Sequence, residues 1–260
     1  VKMYNNGKVQ KIYTICILVI TFFIATNVNN VLCSLPLRNN IDNKYKIGLG
    51  IDISDALKQD DWKCLKTNSD LSWAVVRAYH SFGAFDNSSL TNLKNANDAG
   101  IENVDVYMFP CSGKDPTMQV KDLLSKLKDS NFQTVWLDIE ENPSPGCSWS
   151  MQSNESNCQF VEKLFNEVTQ AGAAVGIYSS HYEWTKIMGE DCKSANHLPL
   201  WYAHYDKENN CGDFSRSPSF GGWTKAFAKQ FNDNVGVEKS IDACIDGSVP
   251  ADIDVLCNNL

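Results

Sequence analysis

The chain has 260 residues, 43% of them apolar, and a formal net charge of −8 at pH 7. This length and composition fit one large buried core, since a single α/β barrel occupies about 250 residues. The negative charge repels polyanions, so nucleic acid and anionic membrane surfaces are excluded as partners.

The first segment has the three regions of a secretory signal peptide. Three lysines precede an uncharged apolar run over 12–25, and small residues near Cys33 and Ser34 suit cleavage. The alternative is an uncleaved membrane anchor, but asparagines interrupt the uncharged stretch before the about 20 apolar residues that a spanning helix needs. Cleavage would remove three lysines and no acids, which changes the charge from −8 to −11. We predict a signal peptide over 1–33, an N-terminal extension over 34–46 and a folded domain over 47–260.

The cysteine content agrees with export to an oxidising compartment. Two of the ten cysteines fall in the predicted signal, and four disulfides would use the remaining eight. Metal binding is the alternative, but these eight lack the close Cys-x-x-Cys or Cys/His spacing of zinc sites. The pairing stays open, although Cys147 with Cys158 and Cys244 with Cys257 would form local loops. Glycan acceptor sequons begin at Asn87 and Asn154.

Short runs rich in β-branched or aromatic residues alternate with helix-like stretches along the rest of the chain. The predicted strands cover 47–54, 73–78, 104–109, 134–140, 174–178, 200–205 and 226–231. Apolar residues at helical spacing predict helices over 89–99, 118–128 and 158–171, with Gly100 and Gly172 at the expected C-caps. Repeated strand–helix–strand order indicates parallel pairing, in a barrel or in an open doubly wound sheet.

Polar residues at the ends of these strands favour the barrel. Asp52 ends the first strand, Asp138 and Glu140 end the fourth, and Asp206 follows the sixth. The carboxyl ends of barrel strands converge on one mouth, where barrel enzymes keep their chemistry. A Gly-rich phosphate turn does not follow the first strand, which argues against a dinucleotide-binding enzyme.

The segment Leu137–Glu140 is the most informative for chemistry. Side chains alternate along a strand, so Asp138 and Glu140 face the same way while Leu137 and Ile139 pack behind them. Two like charges at this range raise the pKa of one of them. A carboxylic acid that stays protonated near its working pH is what a glycosidic oxygen needs from a general acid. The alternative is a solvated strand end with no catalytic role.

In this order and spacing, the motifs resemble the lysozymes of glycoside hydrolase family 25 over about 48–256. The matching pieces are Gly50–Ser54, Val76–Ala78, Asp86, Asp105–Tyr107 before Phe109, Leu137–Glu140, Gly176–Ser179, Leu200–Tyr205, Lys229–Phe231 and Asp252–Asp254. The resemblance implies a single flattened, incomplete (β/α) barrel, here stabilised by disulfides. It also implies hydrolysis of the β-1,4 bond between N-acetylmuramic acid and N-acetylglucosamine in bacterial peptidoglycan. We expect a monomer without a cofactor.

The resemblance also assigns the catalytic carboxylates. Glu140 matches the family's acid, Asp138 its partner, and Asp52 the carboxylate at the end of the first strand. The last family aspartate falls on Asp252 or Asp254. We prefer Asp252 because it fits the family's D-x-N-x-aromatic spacing, whereas Asp254 keeps the apolar residue that usually precedes the family aspartate.

Aromatic residues near the strand ends are candidates for the substrate cleft. Tyr107, Tyr178, Trp201 and Tyr205 would line it, where flat aromatic faces suit sugar rings, although barrel packing explains at least one of them. The four histidines lack the i, i+4 pairing of a helix-borne zinc motif, so we expect no metal site.

Two mechanisms and two other functions stay open. Retention can proceed through a covalent intermediate or through attack by the substrate's own 2-acetamido group, with Asp138 steadying the oxazolinium; we favour the second. A chitinase of the D-x-x-D-x-D-x-E type would need Asp at Gln133 and Trp136. A non-catalytic carbohydrate-binding barrel would be expected to lack the acid at Glu140.

The signal peptide predicts where the protein acts, and the carboxylate cluster predicts how its activity depends on pH. We predict a protein that is secreted or delivered to a digestive vacuole. Repulsion from Asp138, Asp52 and the terminal aspartates should raise the pKa of Glu140, which predicts a lytic optimum on the acid side of neutrality.

Overall fold

The computed structural model describes residues 48–69, 71–216, 219–233, 239–245 and 249–257, all within one compact unit, Asn39–Leu260. The predicted signal peptide and N-terminal extension lie outside these residues. The elements are β1 (Leu49–Ile53), α1 (Gln59–Asn68), β2 (Leu71–His80), β3 (Ala84–Phe85), α2 (Ser88–Asp98), β4 (Asn103–Met108), α3 (Pro116–Leu127), β5 (Thr134–Asp138), a 3-10 turn (Trp149–Met151), α4 (Asn154–Gln170), β6 (Ala174–Ser179), α5 (His181–Met188), β7 (Leu200–Ala203), β8 (Ala228–Asn232), α6 (Lys239–Asp242) and β9 (Ala251–Leu256). Among the described helices, none has both the length and the apolar character needed to cross a bilayer.

Eight of these strands close into a barrel. Their order is β1-β9-β8-β7-β6-β5-β4-β2, pairing of β1 with β2 completes the ring, and β3 adds to β2. Neighbours in the ring are parallel except β9, which runs antiparallel to β1 and β8. The start of β9 therefore lies at the same rim as the ends of the other strands. This confirms the predicted barrel, and its helical layer is incomplete, because the described residues between β7 and β8 contain no helix.

Most predicted elements lie within a few residues of the observed ones. β5 ends at Asp138, so Glu140 lies just past the strand, although the Ile139 amide still donates to the Tyr178 carbonyl at 2.9 Å. Gly100 and Gly172 follow α2 and α4 with φ of +82° and +84°, as predicted for C-caps. The prediction misses α1, α5 and α6, which have ten, eight and four residues, because so few turns give a weak apolar period.

The barrel interior is filled by three indole rings below the mouth. Trp73, Trp136 and Trp201 meet edge to face with ring centroids 5.4–6.0 Å apart. A Cβ at Gly176 would lie 2.3 Å from the Trp136 ring, so β6 needs glycine there. Buried Asp105 links two of the rings, because its Oδ2 accepts from the Trp73 and Trp136 Nε1–H groups at 2.8 and 2.9 Å. These residues form a rigid floor under the site.

Four disulfides tie the helices and loops to one another, which confirms the predicted number. The pairs are Cys64–Cys244, Cys111–Cys147, Cys158–Cys192 and Cys211–Cys257. The sequence left the pairing open, and the two local loops that it suggested, Cys147–Cys158 and Cys244–Cys257, do not form. The fold instead brings together cysteines 34 to 180 positions apart.

Candidate active site

The barrel brings the five predicted carboxylates to one rim. Asp52 near the end of β1 is the direct cross-strand partner of Asp252 near the start of β9. Asp138 ends β5 and Glu140 follows it, while Asp254 lies two residues further along β9 on the same face as Asp252. Each of the five has a pKa above its ordinary value, and burial is the first cause in every case. The rim is thus a cluster of carboxyl groups that are partly protonated near neutral pH.

One amide holds two of these carboxylates apart and in place. Gln230 on β8 is 2% exposed, and its Nε2 donates to Asp52 Oδ2 at 2.7 Å and to Asp252 Oδ2 at 3.2 Å. Its Oε1 accepts from the hydroxyls of Tyr178 at 2.6 Å and Tyr205 at 2.8 Å. Gln230 therefore supplies the two N–H groups that the carboxylate pair needs, and two tyrosines fix the amide's orientation.

Asp254 lies below this pair and is fully buried. Its Oδ1 accepts from Trp201 Nε1 at 2.8 Å. Burial and then the charge of Asp52 raise the pKa of Asp254 well above its ordinary value, which favours its protonated form. Asp252 is instead partly exposed. Of the two candidates for the terminal aspartate, Asp252 is the one that a ligand in the cleft can reach.

Asp138 is buried, at 5% exposure, and its pKa is raised well above the usual range by burial and then by Glu140. Among the residues that the structure describes, no hydrogen-bond donor contacts its Oδ1. A buried carboxylate oxygen without a donor is costly. The protonated form of Asp138 is therefore favoured, in agreement with its raised pKa.

Glu140 has a raised pKa that falls close to neutrality. Burial first, and then the charges of Glu183 and Asp252, together raise its pKa from 4.5 to about 7. The sequence prediction of a raised pKa agrees with this direction but attributed it to repulsion from Asp138, Asp52 and the terminal aspartates. Burial is the larger cause, and the strongest charge comes from Glu183, which was not predicted.

The predicted aromatic residues divide between the cleft and the barrel interior. Trp201 is 2% exposed, and its ring centroid lies 4.4 Å from that of Tyr178, so both pack inside the barrel. Tyr107 packs against the same interior cluster but stays partly exposed. Tyr205 is 48% exposed. Tyr107 and Tyr205 are therefore the two whose rings can contact a ligand, while Trp201 holds Asp254.

Sequence reasoning missed two residues of this site. Gln230 was seen only as part of a matching motif, and nothing in a strand glutamine indicates that it joins carboxylates from β1 and β9. Glu183 is the fourth residue of Ser180–Glu183, a pattern that predicts an ordinary helix cap. Gln230 and Asp52 are 178 positions apart, and Glu183 and its partner Glu141 are 42 apart, so both contacts join distant parts of the chain.

Three side chains beside the site are of types that can bind a metal ion. His204, Asp206 and Asp213 offer ligand atoms within 4.8 Å of one another. The Nζ of buried Lys229 already contacts both carboxylates, at 2.6 Å to Asp206 and 3.0 Å to Asp213. The lysine therefore supplies the positive charge that these carboxylates need.

A barrel mouth with a carboxylic acid that keeps its proton near neutrality, next to buried carboxylates, is the arrangement of a glycoside hydrolase. The comparisons with known proteins agree with this class. The family model described as Lysozyme-like protein 1 matches residues 43–231. Probable GH family 25 lysozyme 5 of Dictyostelium discoideum is 37% identical over 201 residues, which cover 74% of this chain and 89% of the relative.

Lysozyme-like protein 5 of Caenorhabditis elegans is 36% identical over 189 residues, covering 71% of this chain and 83% of that protein. The solved structure of a family GH25 lysozyme from Aspergillus fumigatus has the same fold, with a TM-score of 0.61 at 17% identity over 83% of this chain and 96% of that one. The chain belongs to the lysozymes of glycoside hydrolase family 25.

Proposed function

We propose that this lysozyme hydrolyses the β-1,4 bond between N-acetylmuramic acid and N-acetylglucosamine in bacterial peptidoglycan, with Glu140 as the general acid. The observation that carries the proposal is the pKa of Glu140, about 7, beside buried Asp138 at the barrel mouth. With this pKa, Glu140 keeps its proton through the mildly acidic range. It can deliver that proton to the glycosidic oxygen as the bond to C1 breaks.

Asp138 is the second catalytic carboxylate in this proposal. The carbonyl oxygen of the substrate's 2-acetamido group attacks C1 as the leaving group departs, and an oxazolinium ion forms. During this attack the acetamide N–H donates to the Asp138 carboxyl group, through the small part of it that is exposed. Water next attacks C1, the bond between C1 and the acetamide oxygen breaks, and Glu140 takes a proton from that water. The 2-acetamido group is regenerated, and the sugar keeps its anomeric configuration.

Asp52 and Asp252 stabilise the positive charge that develops on the sugar, because Gln230 holds both at the same rim. Asp254 supports Asp52 from below and does not contact the substrate. Tyr107 and Tyr205 line the cleft and pack against sugar rings.

Two other functions give different products. A chitinase would cleave N-acetylglucosamine polymers, but Gln133 and Trp136 stand where its motif has aspartates, and Trp136 is buried in the barrel floor. A carbohydrate-binding barrel would bind the wall without releasing sugars, yet this site keeps an acid with a raised pKa.

The proposal is tested with Glu140→Gln, which keeps the shape of the side chain but has no proton to transfer. General acid catalysis contributes about 10²- to 10⁴-fold. We expect a folded variant that has lost lysis to this extent, measured as turbidity of bacterial walls and as muropeptides with a reducing N-acetylmuramic acid identified by mass. Exposed Glu162→Gln on α4 is the matched control. Activity of Glu140→Gln within a few-fold of wild type would move the acid role to another residue.

We also propose that the protein is exported as a monomer, with residues 1–33 removed and 47–260 forming the catalytic barrel. The four disulfides support an extracellular or lysosome-like compartment, such as a digestive vacuole. Of the two sequons, Asn87 is exposed at the start of α2. Asn154 uses its side-chain nitrogen to donate to the carbonyls of Lys186 and Ile187 at 3.0 and 2.9 Å. Asn87 is therefore the better glycan acceptor.

A further inference from the structure

We propose that Glu183 is a positioning residue for Glu140: its carboxylate holds the backbone that carries the acid and presents a negative charge to it. The inference rests on the proposed role of Glu140 as general acid.

The first argument is the direction of the Glu183 side chain. Ser180–Glu183 has the S-x-x-E pattern of a capping box, in which the glutamate would return to the N-cap amide. Half of that box forms, because Ser180 Oγ accepts from the Glu183 amide at 3.0 Å. The Glu183 carboxylate, however, reaches the loop that follows the neighbouring strand β5, where its Oε2 accepts from the Glu141 amide at 3.0 Å. A residue that could complete its own helix cap instead binds the residue after the acid.

The second argument is the set of contacts along the Glu140 backbone. The Ile139 carbonyl accepts from Ser179 Oγ at 2.7 Å, the Glu140 carbonyl accepts from Trp149 Nε1 at 2.8 Å, and the Glu141 amide donates to Glu183. Glu140 lies past the end of β5, so these contacts replace the strand ladder in fixing it. Of the three, only the contact from Glu183 brings a charge.

The third argument is electrostatic. The titratable groups that interact with Glu140 come from several elements: Glu183 on α5, Asp252 on β9, Asp138 on β5, Asp52 on β1, Tyr178 on β6, and Tyr107 and Tyr205. Arg77 acts on Tyr107 in the same cluster. Among the charges, Glu183 raises the pKa of Glu140 most.

Glu183 keeps this effect although it has cationic and anionic neighbours of its own. Burial raises its pKa, while the Glu141 amide and Lys186 lower it. The Lys186 ammonium forms its ion pair with Glu141. Lys186 is exposed, so solvent screens its charge at Glu140, whereas the half-buried Glu183 is screened less.

The test separates the charge of Glu183 from its hydrogen bond. Glu183→Gln keeps an oxygen that accepts from the Glu141 amide but removes the charge, and Glu183→Ala removes both. The measurement is the pH profile of kcat and kcat/KM on a soluble peptidoglycan fragment, with Glu162→Gln as the surface control and Glu140→Gln as the reference for lost acid catalysis.

For Glu183→Gln we expect the alkaline limb of kcat/KM to move to lower pH by about half a unit, roughly a threefold loss above the limb. Its kcat at the optimum should stay within about threefold of wild type. Glu183→Ala should show the same displacement and a further loss of kcat of about tenfold with little change in KM, because the acid is no longer held in place.

Profiles of both variants that overlay the wild-type profile would overturn the inference. So would an equal loss at every pH in both variants, since that is the signature of a purely structural role. If Glu140→Gln stayed active, the proposed function itself would fail; if it were inactive while the Glu183 profiles did not move, only the role of Glu183 would be lost.

Discussion

At the scale of single residues, the site depends on donors placed between carboxylates. Asp52 and Asp252 face each other across two strands and would repel one another if left alone. The Gln230 amide donates a hydrogen bond to each of them, and burial favours the protonated form of Asp254 below Asp52. The cluster is therefore stable because part of its charge is neutralised and the rest is hydrogen bonded.

This arrangement predicts the result of replacing Gln230 with Glu, which has the same shape but no amide hydrogens. Asp52 and Asp252 would lose a donor each and gain a third negative charge nearby. Hydrogen bonds to charged groups contribute about 1.5–3 kcal/mol, so we expect at least a tenfold loss of kcat at pH 7 and a lower free energy of unfolding. Activity should recover in part below pH 5, as the new carboxyl takes up a proton and can donate again.

The control for Gln230→Glu is Gln170→Glu, at the exposed last residue of α4, measured in the same activity and urea-unfolding assays. Equal activity of Gln230→Glu and the control at pH 7 would show that the amide does not organise the site.

Sequence alone could locate the carboxylates but not their partners. Asp52, Asp138 and Glu140 follow strand-like runs, and the barrel rule places strand ends at one mouth, so their convergence could be predicted. Gln230 and Glu183 act through contacts between strands and loops, and a single glutamine or a helix-capping glutamate has no local pattern that reports such a contact.

At the scale of elements, the described part of the segment between β7 and β8 (204–216 and 219–227) contains no helix. It carries Tyr205 to the cleft and folds around buried Lys229 on β8. The ammonium contacts both oxygens of Asp206 and one of Asp213, together with the carbonyls of Glu208 and Asn210. Lys229 therefore ties this part of the segment to β8, while the Cys211–Cys257 disulfide and the buried rings of Phe220 and Trp223 hold the rest.

We predict that Lys229→Met destabilises this segment more than the rest of the barrel. Removing one partner of a buried ion pair leaves the other uncompensated, and since the two aspartates are partly exposed we expect a cost of about 2–4 kcal/mol. For a domain of this size the melting temperature should fall by roughly 5–15 °C. Tyr205 should lose its fixed position, so KM should rise more than kcat falls.

Lys207→Met is the matched control, because Lys207 is an exposed lysine of the same segment. If thermal unfolding and KM of Lys229→Met equalled those of Lys207→Met, the segment would not depend on the buried ammonium.

The helices and strands could be predicted where they are long enough for their apolar pattern to repeat. The parallel strands and α2, α3 and α4 have clear apolar patterns, whereas α1, α5 and α6 are short and were missed. The disulfide pairing could not be predicted, because it depends on which loops the closed barrel places together. For example, Cys64 in α1 is bonded to Cys244 just after α6, 180 positions away.

At the scale of the whole molecule, the buried carboxylates couple folding to pH. The pKa of Glu140 rises from 4.5 to about 7 and that of Asp252 from 3.8 to about 6, so between these values the folded state binds more protons than the unfolded chain. Stability from this source is fully present below the unfolded pKa and is lost as pH rises through the folded one. The site is thus most stable in the form in which Glu140 is protonated.

Two other acids, Asp86 and Asp213, have lowered pKa values and therefore reduce the stability of the fold at low pH. Burial alone would raise the pKa of Asp86 and Asp213, but hydrogen bonds from Ser88 and Arg77 to Asp86, and from Tyr202, His204 and Lys229 to Asp213, lower both. Their contribution is present above the unfolded pKa and is lost as pH falls through the folded value. The two effects together place maximum stability in the mildly acidic range.

We therefore predict that activity and thermal stability depend on pH in the same direction above about pH 5. Lysis should be greatest on the acid side of neutrality and fall as Glu140 loses its proton near pH 7, and the melting temperature should be several degrees higher at pH 5 than at pH 8. In Glu140→Gln the melting temperature should change less between these two pH values, because the side chain no longer takes up a proton on folding, while Glu162→Gln should follow wild type. The measurements are calorimetry and wall lysis at constant ionic strength, since salt screens surface repulsion from anionic walls but leaves a buried acid largely unaffected.

A lytic optimum above about pH 7.5 would contradict the assignment of Glu140 as the acid. An unchanged pH dependence of melting in Glu140→Gln would show that its raised pKa does not contribute to folding.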